Sequence, residues 1–182
     1  NPAGMDLENW QQLGISPEFA EKQNLVIDAF TRMGILVSCT CTPYLIGNLP
    51  LYGEHVAWSE SSAVTFANSV LGARTNREGG PSALAAAFVG KTPCYGLHLD
   101  ENRVPDVHVQ VKAELTKLSD WGALGYAIGK KAENKISYIT GIKAVELDEL
   151  KSFCASVVTY GAKPLFYMKG VTPGAEAQKQ PQ

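Results

Sequence analysis

ISYITGIKAVELDELKSFCASVVTYGAKPLFYM, residues 136–168, is the stretch that decides the fold class. Two short apolar runs within it, 136–139 and 164–168, are typical of buried strands. Residues 146–160 between them have the spacing of a helix with one apolar face, formed by Leu147, Leu150, Phe153, Cys154 and Val157. Because a crossover helix joins strands that run in parallel, the stretch predicts an α/β fold with at least some parallel pairing.

The same alternation of helices and strands extends toward the N-terminus. Ser16 and Pro17 are residue types of a helix start, and Gly34 of a helix end, which predicts a first helix to about residue 33. Further helices are expected at 61–71, 81–89 and 121–132, and further strands at 35–42, 94–99 and 107–111. The periodicity ends at residue 173. We therefore expect one domain over 1–172 and a disordered tail over 173–182.

Composition narrows the class of protein. The 182 residues are 45% hydrophobic and 19% charged, which provides enough apolar surface for a packed core. The chain has 18 acidic and 16 basic residues, and its net charge of −2 argues against a nucleic-acid partner. No apolar run is long enough to cross a bilayer and no signal sequence opens the chain. We expect a cytoplasmic protein with no membrane partner.

Two of the four cysteines, Cys39 and Cys41, stand at the end of the predicted strand 35–42. On a strand their Cα atoms lie about 6.6 Å apart, near the limit for a disulfide, so we expect reduced thiols. A thiol at the point where a strand opens into a loop is well placed to hold a metal ion. The alternative is that both are small core residues.

A polar segment, Ser59-Glu60-Ser61-Ser62, leads into the predicted helix 61–71, and Asn68 lies on the same helical face as Ser61. Hydroxyl and amide groups beside a helix start can donate hydrogen bonds to a carboxylate or a phosphate. The alternative is an ordinary N-cap followed by a solvated face. The sequence leaves both interpretations open.

A second polar segment, Arg74-Thr75-Asn76-Arg77, precedes a pair of glycines and the predicted helix 81–89. Arginine is a two-pronged donor that suits a carboxylate or a phosphate, and a helix start attracts anions. The glycines are not followed by the Lys-Ser/Thr of a phosphate-binding P-loop. We expect an anion site here, with a solvated connector as the alternative.

A histidine on the predicted strand 94–99 is the remaining candidate for chemistry. Alternation places Cys94, Gly96, His98 and Asp100 opposite the core face. A lone histidine is more often structural than a ligand or a base. No spacing matches a zinc site, and no GxSxG nucleophile motif is present. The residues alone predict an α/β domain with an anion pocket, and they leave a thiolate-bound metal open.

Several long motifs resemble the aconitase X family. They are NPAGMDLENW (1–10), CTCTPYL (39–45), GEHVAWSESSAVTFANSVLGARTNREGGPSALAAA (53–87) and YGLHLDENR (95–103). The similarity continues through DWGALGYAIGK (120–130) to about Val171. It therefore covers nearly the whole chain, and it identifies 1–172 as the catalytic type of domain of this family, in incomplete form.

The resemblance implies an aconitase-like three-layer domain, with a mixed or parallel sheet flanked by helices. It also implies a dehydratase, a hydro-lyase that uses an iron–sulfur cluster ([4Fe-4S] or [2Fe-2S]) or iron as a Lewis acid. The substrates associated with the family are small hydroxy acids, cis-3-hydroxy-L-proline or mevalonate 5-phosphate. Of these two we favour the hydroxyproline branch.

The same resemblance implies roles for the candidate residues. The segments 59–62 and 74–77 hold the carboxylate or phosphate of the substrate. Cys41 is the first choice for a cluster thiolate and Cys39 the second, while Cys94 is not counted as a ligand. The catalytic base is expected outside this chain, with His98 as the alternative.

The departures from the family pattern point to a longer enzyme. A Gly-Cys-Pro-His type segment, expected to supply further cluster cysteines, is absent, and a small subunit or domain is expected as a partner. We therefore expect a middle portion of a large subunit that is inactive alone. One alternative is a non-catalytic module that binds anions or assists assembly. Another is a thiol enzyme that pairs Cys41 or Cys94 with His98.

Overall fold

The computed structural model describes residues 4–181. The chain forms two compact units, one ending at Asn48 and the other beginning at Leu49. The α/β fold class predicted from the sequence is confirmed, because the second unit contains a parallel sheet with helices. The treatment of 1–172 as one domain stays a prediction.

The first unit is organised around helix α1, Pro17–Arg32. Ser16 caps it by accepting a hydrogen bond from the Phe19 backbone N–H at 3.2 Å, as its residue type predicts. The strand predicted at 35–42 is wrong. Its backbone pairs with no other strand within residues 4–181, and Cys39 interrupts the extended run with a φ of +43°. Without a neighbouring strand, an apolar run has no ladder to join.

Apart from the segment 94–99, the second unit follows the predicted order of helices and strands. Its elements are α2 (Ser61–Phe66), α3 (Gly80–Val89), β1 (Val107–Gln110), α4 (Leu118–Ala132), β2 (Ser137–Thr140), α5 (Leu147–Gly161) and β3 (Phe166–Met168). A single π-helical turn, Ala67–Leu71, continues α2. The strands lie in the order β1-β2-β3 and are all parallel, with Val109 opposite Ile139 and Ile139 opposite Met168.

Glycines allow α4 and α5 to pack unusually close together. A Cβ atom on Gly129 would lie 2.9 Å from the Gly161 N and 2.9 Å from the Val157 O, so only hydrogen fits there. The Ser156 hydroxyl also donates to the Gly122 carbonyl at 2.6 Å. The glycines that lower the helix propensity of α4 therefore serve helix packing.

The core lies between α5 and the sheet. Phe153 of α5 meets Phe166 of β3 edge to face, with ring centroids 4.9 Å apart. A second cluster of buried side chains lies on the opposite face of the sheet, where Tyr138 and Tyr167 are paired, and its members are Leu97, Ile136, Tyr138, Leu165, Tyr167 and Ala175. Ala175 belongs to a short 3₁₀ turn, Ala175–Ala177, although we expected residues from 173 onward to be disordered. Within residues 4–181, no helix is both long and apolar enough to span a membrane.

The strand predicted at 94–99 is also wrong. Gly96–His98 form a 3₁₀ turn instead, and Gly96 has a φ of +61° that favours glycine. The turn is held from outside by Asn76, whose side chain accepts from the Leu97 N–H at 2.8 Å and donates to the Tyr95 carbonyl at 3.2 Å. A second 3₁₀ turn, Asp100–Arg103, follows directly.

Candidate functional site

The two polar segments predicted to bind an anion lie side by side. The Trp58 N–H donates to the Thr75 hydroxyl at 3.1 Å, and the Glu78 N–H donates to the Trp58 carbonyl at 3.0 Å. Residues 58–60, before α2, therefore run beside residues 75–78, before α3. The adjacency places the starts of α2 and α3 at one region of the second unit.

Glu60 caps α2, so the N-cap part of the alternative is confirmed, but the solvated face that it also predicted is wrong, because Asn68 on that face is buried. Its carboxylate accepts from the Ala63 N–H at 2.6 Å, the Ser62 hydroxyl at 2.6 Å and the Ser61 hydroxyl at 3.4 Å. Ser59, just before it, is exposed. The Glu60 carboxylate therefore orients the hydroxyl groups of Ser61 and Ser62. Substrate binding by Ser59, Ser61 and Ser62 stays a prediction.

Asn68 and Thr75 are buried and bonded to each other. The Asn68 amide donates to the Thr75 carbonyl at 2.8 Å and to the Pro164 carbonyl at 3.0 Å, and its oxygen accepts from the Thr75 N–H at 3.0 Å. The Thr75 hydroxyl donates to the Asn76 carbonyl at 2.7 Å. Their polar groups thus support the shape of the loop, which favours a positioning role over direct contact with a substrate.

Arg103, which no pattern in the sequence singles out, lies at the centre of this network. Its side chain is buried, and its guanidinium donates at 3.0–3.2 Å to the Asn68 side chain and to the backbone carbonyls of Leu97, Asn68 and Ala73. All four acceptors are neutral, and burial lowers the pKa of the guanidinium. Arg103 therefore clamps the loop between α2 and α3 to the 3₁₀ turn at Gly96–His98.

Arg74 and Arg77 have different surroundings. Arg74 donates to the His98 carbonyl at 2.9 Å and forms an ion pair with Asp100, and this contact lowers the pKa of the Asp100 carboxyl. Arg77 is exposed and forms no ion pair within residues 4–181. Of the two arginines, Arg77 is the one with donors free for a ligand.

His98 is nearly inaccessible to solvent, at 4% exposure, and its ring lies beside that of His55, with centroids 5.1 Å apart and planes inclined by 14°. The two Nδ1 atoms are 2.8 Å apart, so one ring donates and the other accepts. The Nε2 of His98 and the Oε1 of Glu78 are both buried without a hydrogen-bond partner in the described part of the chain. Burial, followed by His55, lowers the pKa of His98, while the Glu78 charge acts in the opposite direction. Buried polar groups without a partner are candidates for contact with a ligand.

A cleft of about 460 Å³ opens beside this network. Its lining residues are Asn76, Arg77, Gly96, Leu97, Asn102, Asn134, Lys163 and Pro164. A second cavity of about 320 Å³ lies on the Arg74 side, where Tyr52, Arg103 and Tyr167 also contribute, together with the Asp100 carboxylate. The cleft contains two cations and no acid, whereas the cavity contains an acid.

The cysteines do not form a complete metal site within the described residues. Cys39 is half-buried and Cys41 exposed in the first unit, Cys94 is exposed, and Cys154 is buried with its pKa raised by burial. Across residues 4–181, no three His, Cys, Asp or Glu side chains come together in a way that could hold a metal ion. Residues 4–181 therefore show no complete set of ligands for an iron–sulfur cluster.

Models of two protein domains match the chain. The model of the aconitase X first domain matches residues 1–101, and that of the aconitase X second domain matches residues 105–182. The chain belongs to the aconitase X family. The family resemblance predicted from the motifs is thereby confirmed.

Aconitase X relatives extend well beyond this chain. The phosphomevalonate dehydratase large subunit of Methanosarcina mazei is 57% identical over 176 residues, which cover 96% of this chain and 44% of that protein. Cis-3-hydroxy-L-proline dehydratase of Hypocrea jecorina is 36% identical over 96% of this chain and 30% of its own length. The crystal structure of Thermococcus kodakaraensis aconitase X in its holo-form superposes with a TM-score of 0.89 at 48% identity, over 100% of this chain and 45% of that one. The chain thus spans less than half the length of these aconitase X proteins.

Proposed function

We propose that this aconitase X chain is part of the large subunit of a dehydratase that removes water from mevalonate 5-phosphate, in complex with a small subunit. The observation that carries the proposal is sequence identity. Four phosphomevalonate dehydratase large subunits are 51–57% identical to the chain, and that of Aeropyrum pernix is 36% identical. The two cis-3-hydroxy-L-proline dehydratases are 36% identical. These values favour the phosphomevalonate branch over the hydroxyproline branch that we expected from the sequence.

Removal of water from a hydroxy acid requires a group that accepts a proton from carbon and a group that holds the anion in place. The unpaired Nε2 of His98 and Oε1 of Glu78 support a proton-transfer role at this site. If His98 donates from Nδ1 to His55, its Nε2 carries a lone pair and can act as the base. A neutral imidazole, which burial favours, is the form that this role requires.

We further propose that Cys41, with Cys39 as the alternative, supplies one thiolate to an iron–sulfur cluster in the complete enzyme. An exposed thiol is available to a ligand, and Cys41 is exposed. When bound, such a cluster supplies Lewis-acid chemistry at a departing hydroxyl group. The test is the iron and sulfide content of the anaerobically purified enzyme. Loss of iron and sulfide in Cys41→Ser but not in Cys94→Ser supports the proposal, and equal iron and sulfide content in both variants contradicts it.

A cytoplasmic location stays a prediction.

The proposed activity is tested on the complete enzyme, assembled from its large and small subunits. Water loss from mevalonate 5-phosphate and from cis-3-hydroxy-L-proline is followed side by side. We expect a kcat/KM for the phosphorylated substrate that is higher by about 100-fold or more, since paired charges at one substrate group are worth roughly 2–3 kcal/mol. A higher kcat/KM for hydroxyproline, or no water loss from either compound, contradicts the proposal.

A further inference from the structure

We propose that the cleft between Arg77 and Lys163 binds a phosphate monoester, and that it holds the phosphate of the substrate in the dehydratase proposed above. Among the residues that line the cleft, Arg77 and Lys163 carry the charges, and no carboxylate opposes them. The cleft has a volume of about 460 Å³, which accommodates a small phosphorylated acid. The inference rests on the proposed function only for the identity of the substrate.

The free donors of the cleft come from two parts of the chain. Arg77 lies in the loop before α3, within the stretch matched by the first-domain model. Asn134 and Lys163 follow the C-terminal ends of α4 and α5, within the stretch matched by the second-domain model. A ligand in the cleft would therefore contact both parts of the second unit at once.

The hydrogen bonds around the cleft leave these donors available. The Asn76 side chain is committed to the Gly96–His98 turn, and the Asn102 amide donates to the Gly96 carbonyl at 3.0 Å. Arg77 and Lys163 form no ion pair within residues 4–181. The backbone next to Lys163 is anchored, because Pro164 is buried and its carbonyl accepts from the Asn68 amide at 3.0 Å. The cleft thus offers a ligand the planar guanidinium group of Arg77 and the ammonium group of Lys163.

Charge favours a phosphate monoester over a carboxylate. A phosphate monoester carries nearly two negative charges at neutral pH, which can engage both Arg77 and Lys163, whereas one carboxylate balances only one of them. The C-terminal ends of α4 and α5 bring partial negative charge, about half a unit each, which is less than the two full positive charges. The cavity on the Arg74 side is a poorer anion site, because Asp100 lines it and its arginines are already bonded.

The test measures binding of inorganic phosphate to the complete enzyme by calorimetry, together with KM for mevalonate 5-phosphate. We expect Arg77→Gln and Lys163→Gln each to raise both the Kd and the KM about tenfold or more, since a charged hydrogen bond is worth roughly 1.5–3 kcal/mol. Lys112→Gln removes the same charge from an exposed position outside the cleft and should change neither.

The outcomes separate this inference from the proposed function. An enzyme that dehydrates mevalonate 5-phosphate with an unchanged Kd and KM in both cleft variants overturns the phosphate site and leaves the activity standing. The enzyme could instead lack dehydratase activity and still bind phosphate, with weaker binding in both cleft variants. That result supports the phosphate site and overturns the proposed dehydratase activity. Acetate that binds as tightly as phosphate, with the same dependence on Arg77 and Lys163, overturns the assignment to phosphate.

Discussion

Replacing Arg103 with methionine is expected to destabilise the second unit strongly, although Arg103 is the kind of residue usually found on a surface. Four hydrogen bonds from the guanidinium end on three backbone carbonyls and the Asn68 side chain, all of them in buried surroundings. Each buried acceptor left without a donor costs about 1–3 kcal/mol, and the methionine recovers part of this by avoiding the desolvation of a charge. We expect the free energy of unfolding to fall by about 3–5 kcal/mol.

Urea unfolding followed by circular dichroism measures this change, and two further variants act as controls. Arg103→Lys keeps the charge but loses the planar fork, so we expect an intermediate loss. Arg77→Met removes an exposed arginine and should change the unfolding free energy by no more than about 0.5 kcal/mol. A loss below about 1 kcal/mol in Arg103→Met would refute the assignment of Arg103 as the clamp of this loop.

Three further predictions concern packing, pH and thiol reactivity. Gly129→Ala places a methyl group 2.9 Å from backbone atoms of α5 and should lower the unfolding free energy, measured by urea titration, by about 1–3 kcal/mol. Gly122→Ala is the control, because its nearest neighbour is a hydroxyl at 3.4 Å, and it should be neutral or stabilising. Equal losses of stability in the two variants would contradict the close packing of α4 and α5. Burial lowers the pKa of His98, so the unfolded chain binds a proton there more readily. The unfolding free energy should therefore fall as the pH drops below about 6.5, and it should fall by less in His98→Gln. Parallel pH profiles of the two proteins would contradict a lowered pKa of His98. Iodoacetamide should label the exposed Cys94 but not the buried Cys154, because burial raises the pKa of the Cys154 thiol. Mass spectrometry measures the labelling, and labelled Cys154 in the folded protein would contradict the burial of this thiol.

The parts of the fold that the sequence predicts are those set by local periodicity. The helix at Leu147–Gly161 and the strand after it follow directly from the spacing of apolar residues. The segment 94–99 shows the limit of this approach. Its alternating apolar residues suggest a strand, but contacts from Asn76, some 20 residues earlier in the chain, hold it as a turn. Contacts between distant segments override the local pattern there.

The candidate site could be predicted in part for the same reason. The loop at 74–77 is conspicuous because its arginines and glycines are contiguous in the sequence. The roles of Arg103, Glu78 and Lys163 depend on the tertiary structure. It buries Arg103, leaves the Oε1 atom of Glu78 without a partner and brings Lys163 to the cleft. A lysine before a proline carries no signal of a ligand site.

A chimeric enzyme tests the proposed function most directly. In the Methanosarcina mazei phosphomevalonate dehydratase large subunit, the stretch that aligns with this chain is replaced by this chain, and the product is assembled with the small subunit. Because the two stretches are 57% identical, we expect a folded complex that dehydrates mevalonate 5-phosphate and leaves cis-3-hydroxy-L-proline unchanged. A folded complex that dehydrates neither compound, or only cis-3-hydroxy-L-proline, would contradict the proposal.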